Sequence, residues 1–224
     1  MRGVHMKRFL TRHLLPVLIF SGALSFAELV APAFNISGDA AGIDIIPAGI
    51  CSGGRYEFQT WGPEEKRKRS ASIYLEMTSN AWANAWFSFK PSKDGAVNIS
   101  LYGSYKIVDG ANKRINVLFD NVEAEGTALK NGNFEEGKDG MPAAWYAYAK
   151  DGTVEGGPRY LAKRGVNGSS CIMTWHNGSF SQTIKCKKDE TVTIRLNCKL
   201  ADADDEAAPA PGAAVKPDNS KYKD

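Results

Sequence analysis

The stretch Ser79-Asn80-Ala81-Trp82-Ala83-Asn84-Ala85-Trp86-Phe87-Ser88-Phe89 holds the side chains best suited to recognition. Strand alternation places Asn80, Trp82, Asn84, Trp86 and Ser88 on one face, and Ala81, Ala83, Ala85, Phe87 and Phe89 on the other. An indole is apolar on its face and donates a hydrogen bond at its edge. Two of them interleaved with carboxamides form an amphipathic surface, and sugars present the same mixture of apolar C–H faces rimmed with hydroxyls. At about 3.3 Å per residue the two rings sit roughly 13 Å apart, a span that addresses separate rings of a polysaccharide. The same residues have a second reading. Tryptophan is usually well buried, and the alanine face could lie beneath a covering loop, leaving both indoles in the core. Trp61, Trp145 and Trp175, each at a strand end or on an apolar parity, are expected in the core.

Other reactive groups are sparse. Of three histidines, His5 and His13 fall in an N-terminal segment with export character, which leaves His176 to carry any Ser-His-Asp, Cys-His or multi-histidine metal chemistry. His176 stands in TWHNGSF, where Asn177-Gly178 is a hairpin signal, so it reads as a turn-flanking surface residue. Cys51, Cys171, Cys186 and Cys198 lack zinc spacing, and in an exported chain they are expected to pair as disulfides with three possible connectivities. The run Glu64-Glu65-Lys66-Arg67-Lys68-Arg69 reads as a solvated loop between strands, with contact to an acidic glycan as the alternative.

The export character rests on Lys7, Arg8 and Arg12, an apolar run from Leu14 to Phe20, and Ser25-Phe26-Ala27 before the expected cleavage site. The apolar run is too short for a membrane anchor and no cysteine follows the cut, so a protein that is secreted, periplasmic or at the cell surface, with no integral membrane segment after cleavage, is expected. The whole chain has 28 Lys+Arg and 25 Asp+Glu; the signal segment removes four bases (Arg2, Lys7, Arg8, Arg12) and no acid, leaving 24 against 25. That near-neutral balance removes the basic field needed for generic nucleic-acid binding. From Ala201 onward six acids, three bases and three prolines leave almost nothing to bury, so residues 201–224 are expected to form a disordered tail.

These residues must be held by β-structure. GRYEFQTW, ASIYLEM, AWANAWFSF, GAVNISLYGSY, RINVLFDNV, SSCIMTW, SFSQTIKC and TVTIRLNCKL recur between turn residues, and no helical period persists after the signal segment. The expectation is an all-β antiparallel sandwich or jelly roll over residues 28–200. If Asn177-Gly178 closes a two-residue turn, Trp175 faces Phe180, Met173 faces Gln182 and Cys171 faces Ile184. Cys171, Cys186 and Cys198 then share core-facing parity.

Asn131-Gly132-Asn133-Phe134-Glu135-Glu136-Gly137 followed by Trp145, a later S-x-x-x-x-x-W strand, and a strand ending Phe119-Asp120-Asn121-Val122 together resemble the jelly-roll carbohydrate-binding modules of extracellular glycosidases, within the galactose-binding-like fold. In that family the N-G-x-F-E strand opens the module and the D-x-V strand closes it, the reverse of the order here. The resemblance therefore implies either one circularly permuted sandwich built from segments 28–126 and 127–200, or two tandem modules meeting near Thr127. The second segment is small for a free-standing core, which favours the merged form. The resemblance further implies a structural calcium between Asp120 and Glu135, conditional on their strands being neighbours in one body.

Three classes follow. A non-catalytic module that binds a glycan or polysaccharide needs exposed Trp82 and Trp86 with Asn80 and Asn84. A structural or adhesive surface sandwich needs the tryptophans buried. A glycosidase needs two carboxylates flanking a cleft, and Asp120, Glu135 and Glu136 stand in no recognisable catalytic motif. Binding is the first expectation, with no enzyme activity.

Overall fold

The computed structural model describes residues 33–38, 42–61, 68–75, 77, 80–149 and 158–208. The expected signal segment lies outside them, as do positions 62–67 of the charged run and 209–224 of the tail. In chain order the strands are β1 (Ala33–Gly38), β2 (Ile45–Ile50), β3 (Gly54–Trp61), β4 (Lys68–Leu75), β5 (Ala83–Pro91), β6 (Gly95–Tyr102), β7 (Ser104–Val108), β8 (Ala111–Ile115), β9 (Val117–Glu125), β10 (Gly137–Lys138), β11 (Met141–Pro142), β12 (Tyr146–Ala149), β13 (Arg159–Leu161), β14 (Cys171–Thr174), β15 (Gly178–Cys186) and β16 (Val192–Leu200). One helix follows, α1 (Ala203–Ala207).

Two six-stranded antiparallel sheets form a sandwich. The first runs β12-β15-β6-β1-β4-β3 and the second β13-β14-β9-β16-β5-β2. Both draw strands from either side of Thr127, so one body is built from both segments. Period-two alternation makes the core: Val97, Ile99 and Leu101 of β6 face Ala85, Phe87 and Phe89 of β5 and Ile194 and Leu196 of β16, all buried in one cluster. Gln182 of β15 also points inward, where it is 5 % exposed. Its amide exchanges hydrogen bonds with Lys130 N and O at 2.8 Å each and reaches Ala144 O at 3.1 Å, fastening the loop after β9 to the end of the core. A separate hairpin, β7–β8, projects from the body and turns at Asp109-Gly110, both with positive φ (52° and 75°), the backbone of a type I′ turn. Among the described residues no helix is long and apolar enough to cross a membrane.

Several expectations change here. Val117–Val122 is a strand, within β9, but Asn131–Glu135 is a compact turn rather than an opening strand. Asn131 and Phe134 take positive φ (47° and 56°), and Val122 N donates to Gly132 O at 2.8 Å. A Cβ on Gly132 would lie 1.8 Å from Val122 O, so the turn presses directly on the strand and only glycine allows it. The turn residues of TWHNGSF are His176 and Asn177, because Trp175 and Gly178 exchange both backbone hydrogen bonds at 3.1 Å. Neither Asn177 nor Gly178 has the positive φ that a type I′ turn at those two positions demands. Beyond that single bridge the strands part: β14 joins the second sheet and β15 the first. Trp175 therefore pairs with Gly178 rather than Phe180, and neither Met173 with Gln182 nor Cys171 with Ile184 is a cross-strand pair.

The parting of those strands also undoes the disulfide expectation. All four cysteines are free and buried. Cys186 ends β15 in the first sheet, while Cys51, Cys171 and Cys198 belong to the second layer. Within that layer Cys171 is on the opposite face from Cys198: Ile172 pairs with Phe119 in the main core, which turns Cys171 outward beside Leu118, Leu161 and Met173. Burial pushes the Cys186 thiol up to about 11 and, together with the nearby Cys51, the Cys198 thiol up to about 12; Cys171 rises further, for burial first and then the Asp120 and Asp205 charges. The first part of the expected tail likewise differs from what composition suggested. Residues 201–208 are ordered around α1, whose Asp205 is 1 % exposed.

Candidate functional site

The outer face of the second sheet is organised in cross-strand rows set by register. Ala85, Phe87 and Phe89 of β5 point into the core, which turns Asn84, Trp86 and Ser88 outward. On β16 the partners are Asn197 opposite Asn84, Arg195 opposite Trp86 and Thr193 opposite Ser88. The Ser88 and Thr193 hydroxyls bond at 2.8 Å. Asn197 is the centre of an amide ladder: its Nδ2 donates to Asn84 Oδ1, and its Oδ1 accepts from Asn121 Nδ2 at 3.1 Å. A bulge in the β16–β9 pairing, between Arg195 and Asn197, brings Asn121 to that ladder.

Trp82 and Trp86 flank the β5 end of this ladder, one on each side of Asn84 along the chain, both half-buried. Trp86 rests on Gly49 of β2, where a Cβ would come within 3.0 Å of the ring, and the Arg195 guanidinium is 6.0 Å from its centre. Trp82 sits just before β5 and packs against the outer cluster of Leu118, Leu161, Cys171 and Met173, with Lys199 Nζ 5.7 Å from its ring. Trp86 packs against the edge of the main core and Trp82 against the outer cluster, and neither is fully buried. Asn80 is exposed in the bend preceding β5, off the strand face. Trp145 is buried, with Nε1 donating to Asn131 O at 3.0 Å; Trp175 is only half-buried, beneath the Arg114 guanidinium at 4.8 Å. His176 is exposed in its turn, 4.6 Å from the Tyr105 ring.

Asp120 and Glu135 are brought to one place, the loop 165–170. Asp120, fully buried, accepts from Val166 N at 2.8 Å and Ser169 Oγ at 2.7 Å through Oδ2, and from Asn121 N at 2.6 Å through Oδ1. Glu135 Oε1 accepts from Ser170 N at 2.6 Å. Burial pushes the Asp120 carboxyl up, the hydrogen bonds from Ser169, Val166 and Asn121 oppose that, and the Glu135 charge adds to it. Gly165 lies against Asp120 Oδ2, Ser169 Oγ and Ser170 O, which would be 2.4 to 2.6 Å from a Cβ there, so those three oxygens converge on the glycine. Two carboxylates, a hydroxyl and a carbonyl are an oxygen donor set of the type a hard cation takes. No group of three or more His, Cys, Asp or Glu suited to a metal is found among the described residues.

The sequence offered no local signal for Asn197, Asn121, Arg195 or Lys199, because each joins the site only through strand pairing. The same holds for a row of tyrosines on the outer face of the first sheet. Tyr74 and Tyr102 flank Ala33 in register, and Ser179 lies between Tyr102 and Tyr148. Each tyrosine comes from a different strand, so no motif announces them. No family model, curated protein or solved structure matches the chain.

Proposed function

We propose that this protein is an exported, non-catalytic module that binds a polysaccharide on the outer face of its second sheet. The observation that carries the reading is the pair of partly exposed indoles, Trp82 and Trp86, on either side of Asn84, from which the Asn84–Asn197–Asn121 ladder runs across the sheet. Each ring offers a stacking face to a sugar, and the amides beside them offer donors and acceptors to its hydroxyls. The basic, apolar and cleavage-site residues before Glu28 support export to the periplasm, surface or medium. Asp120 and Glu135 are the carboxylates a glycosidase reading would choose, but Asp120 has no exposed surface and both its oxygens already accept hydrogen bonds. The same pair is the part of the reading that concerns calcium. Asp120, Glu135 and the Ser170 carbonyl would hold the ion, whose charge would offset two neighbouring carboxylates and pin the loop 165–170.

Binding is tested on a polysaccharide array with Trp86→Ala beside the natural sequence. A loss of about tenfold or more in affinity, near 1.4 kcal/mol, with the fold intact, is expected. Unchanged binding would remove the platform. Calcium is tested by melting the protein with calcium and with chelator, since an ion that binds only the folded state must raise Tm. Identical curves would leave Asp120 and Glu135 as hydrogen-bond anchors of the loop.

A further inference from the structure

The segment that follows β16 does not leave the molecule. Asp202 caps α1 by accepting from Asp205 N at 2.9 Å, and Asp205 returns the bond from Asp202 N at 3.2 Å, a reciprocal capping box. Lys199 Nζ holds Asp205 at 2.7 Å and Asp202 at 3.5 Å, with Lys199 and Asp205 both nearly buried. Asn116 Nδ2 donates to Glu206 Oε1 at 2.9 Å. At the far end Arg159 donates to Glu206 O at 3.0 Å and Ala208 O at 2.9 Å, satisfying carbonyls that a helix end leaves open. A five-residue helix is not stable by itself, so these contacts hold it in place.

What lies beneath is a single cross-strand row. Ala83 pairs with Cys198, which sets Trp82 beside Lys199; Lys199 pairs with Leu118, Leu118 with Met173, and Met173 with Arg159. The row therefore carries an indole just before β5, then a cation, two apolar side chains and a second cation across four strands. Arg114 stands at its edge, bonded to Asn116 Oδ1 at 2.7 Å. Burial and the neighbouring Arg159 lower the Arg114 guanidinium, and the Glu206 charge opposes both, so the acidic segment relieves a crowding of positive charge.

We infer that Asp202–Ala208 is a strap occupying, in cis, a binding subsite for the carboxylates of an acidic polysaccharide, formed by Lys199, Arg159, Arg114 and Asn116 beside Trp82. The inference rests on the platform reading above and names its ligand class. A uronate ring stacked on Trp82 places its carboxylate toward Lys199, where Asp205 now sits, and the chain continues over Leu118 and Met173 toward Arg159. Asp202 and Asp205 on Lys199, Glu206 on Asn116 and the strap carbonyls on Arg159 stand where the oxygens of the ligand would stand, so ligand and strap compete. A neutral chain can use Trp86 and the amide ladder without displacing it.

The test uses the full chain carrying Asp202→Asn, Asp205→Asn and Glu206→Gln together, titrated with polygalacturonate and, separately, with a neutral β-glucan, while hydrogen exchange follows the amides of 203–208. Faster exchange there, about tenfold tighter polygalacturonate binding and less than about twofold change for the neutral glucan are expected. Adding Lys199→Gln should cancel the gain. Faster exchange with unchanged polygalacturonate affinity overturns the subsite while neutral-glucan binding keeps the platform reading. Binding of neither polymer by either protein overturns both. Amides that stay protected show that the carboxylates do not hold the strap, which also overturns the inference. Should the triple variant lose its fold, Glu206→Gln alone removes the charge that faces Arg114 and Arg159 and leaves an oxygen that can still accept from Asn116. It is expected to tighten polygalacturonate binding about twofold, and no gain overturns the proposal.

Discussion

The outer faces of the two sheets are built from the same backbone geometry, yet they present different chemistry. On the first sheet the outward face holds a group of small hydroxylic residues: Ser70, Ser72, Ser100, Ser179 and Ser181 are all buried, among larger neighbours such as Tyr74, Tyr102 and Tyr148. The Ser100 and Ser181 hydroxyls bond to each other at 2.8 Å, and Arg55 lies 4.3 Å over the Tyr74 ring. On the second sheet the outward residues are amides, cations and two indoles, and part of the face is covered by the chain's own acidic strap. Buried serine hydroxyls leave the first face few groups within reach of a ligand. The second face carries partly exposed rings and amides next to cations paired with a short acidic helix.

Ligand titration breaks this contrast most directly. Trp86→Ala is expected to weaken polysaccharide binding about tenfold, whereas Tyr102→Ala on the first sheet should change it less than about twofold. If Tyr102→Ala carried the larger loss, the tyrosine row would be the platform and the assignment of the two faces would reverse.

Within the second face, stability should separate the two indoles. A fully buried aromatic costs about 3 to 5 kcal/mol when cut to alanine. Trp82 is half-buried against Leu118 and Met173, so Trp82→Ala should cost about 1 to 2 kcal/mol by denaturant melt, and Trp86→Ala, resting on Gly49, less. Equal costs would mean that the outer cluster does not depend on Trp82.

The smallest effect concerns pH. The hydrogen bond from Asp205 N, with help from Lys199, holds the Asp202 carboxyl below its ordinary value. A depressed carboxyl contributes stability that is present above the unfolded value, near 3.9, and is lost as pH falls through the lower folded value. Lys199 and Asp205 are the charged groups that bear on it. Hydrogen exchange at 203–208, followed from about pH 5 down to about pH 2, should show the strap loosening before the sandwich opens. Simultaneous loss of both would make the strap part of the cooperative core.

Much of the layered fold was legible in the residues themselves. The strand β3 coincides with GRYEFQTW, and the parity of β5 follows from alternation alone, because side chains on a strand take opposite faces whatever the partner strand is. Alternation set Asn84 and Trp86 apart from Ala85, Phe87 and Phe89, but which of the two faces met the core was decided only by the opposing sheet. The strands β1 and β2 and the hairpin β7–β8 were less visible: β2 carries a proline and a glycine, and β8 is polar at most positions.

What alternation could not reach was which strands stand side by side. Asn197 meets Asn84 from 113 positions away, and Thr193 meets Ser88 from 105. TWHNGSF shows the same limit at short range. Its turn chemistry announced a hairpin, but Gly178 packs against Trp175 and Pro158, where a Cβ would come within 3.0 Å of both, and the strands depart into different sheets. That corner moved Cys171 to the outer face and removed the expected disulfide register. The acidic residues after Leu200 carry no apolar pattern, so composition placed them in solvent. Only the folded sheet, by bringing Lys199, Asn116 and Arg159 within reach, supplies the counter-charges and donors that order them. Local sequence determined which way each side chain points, because that depends on the backbone of a single strand. The tertiary structure decided what each side chain meets, because that depends on pairing between strands far apart in the chain.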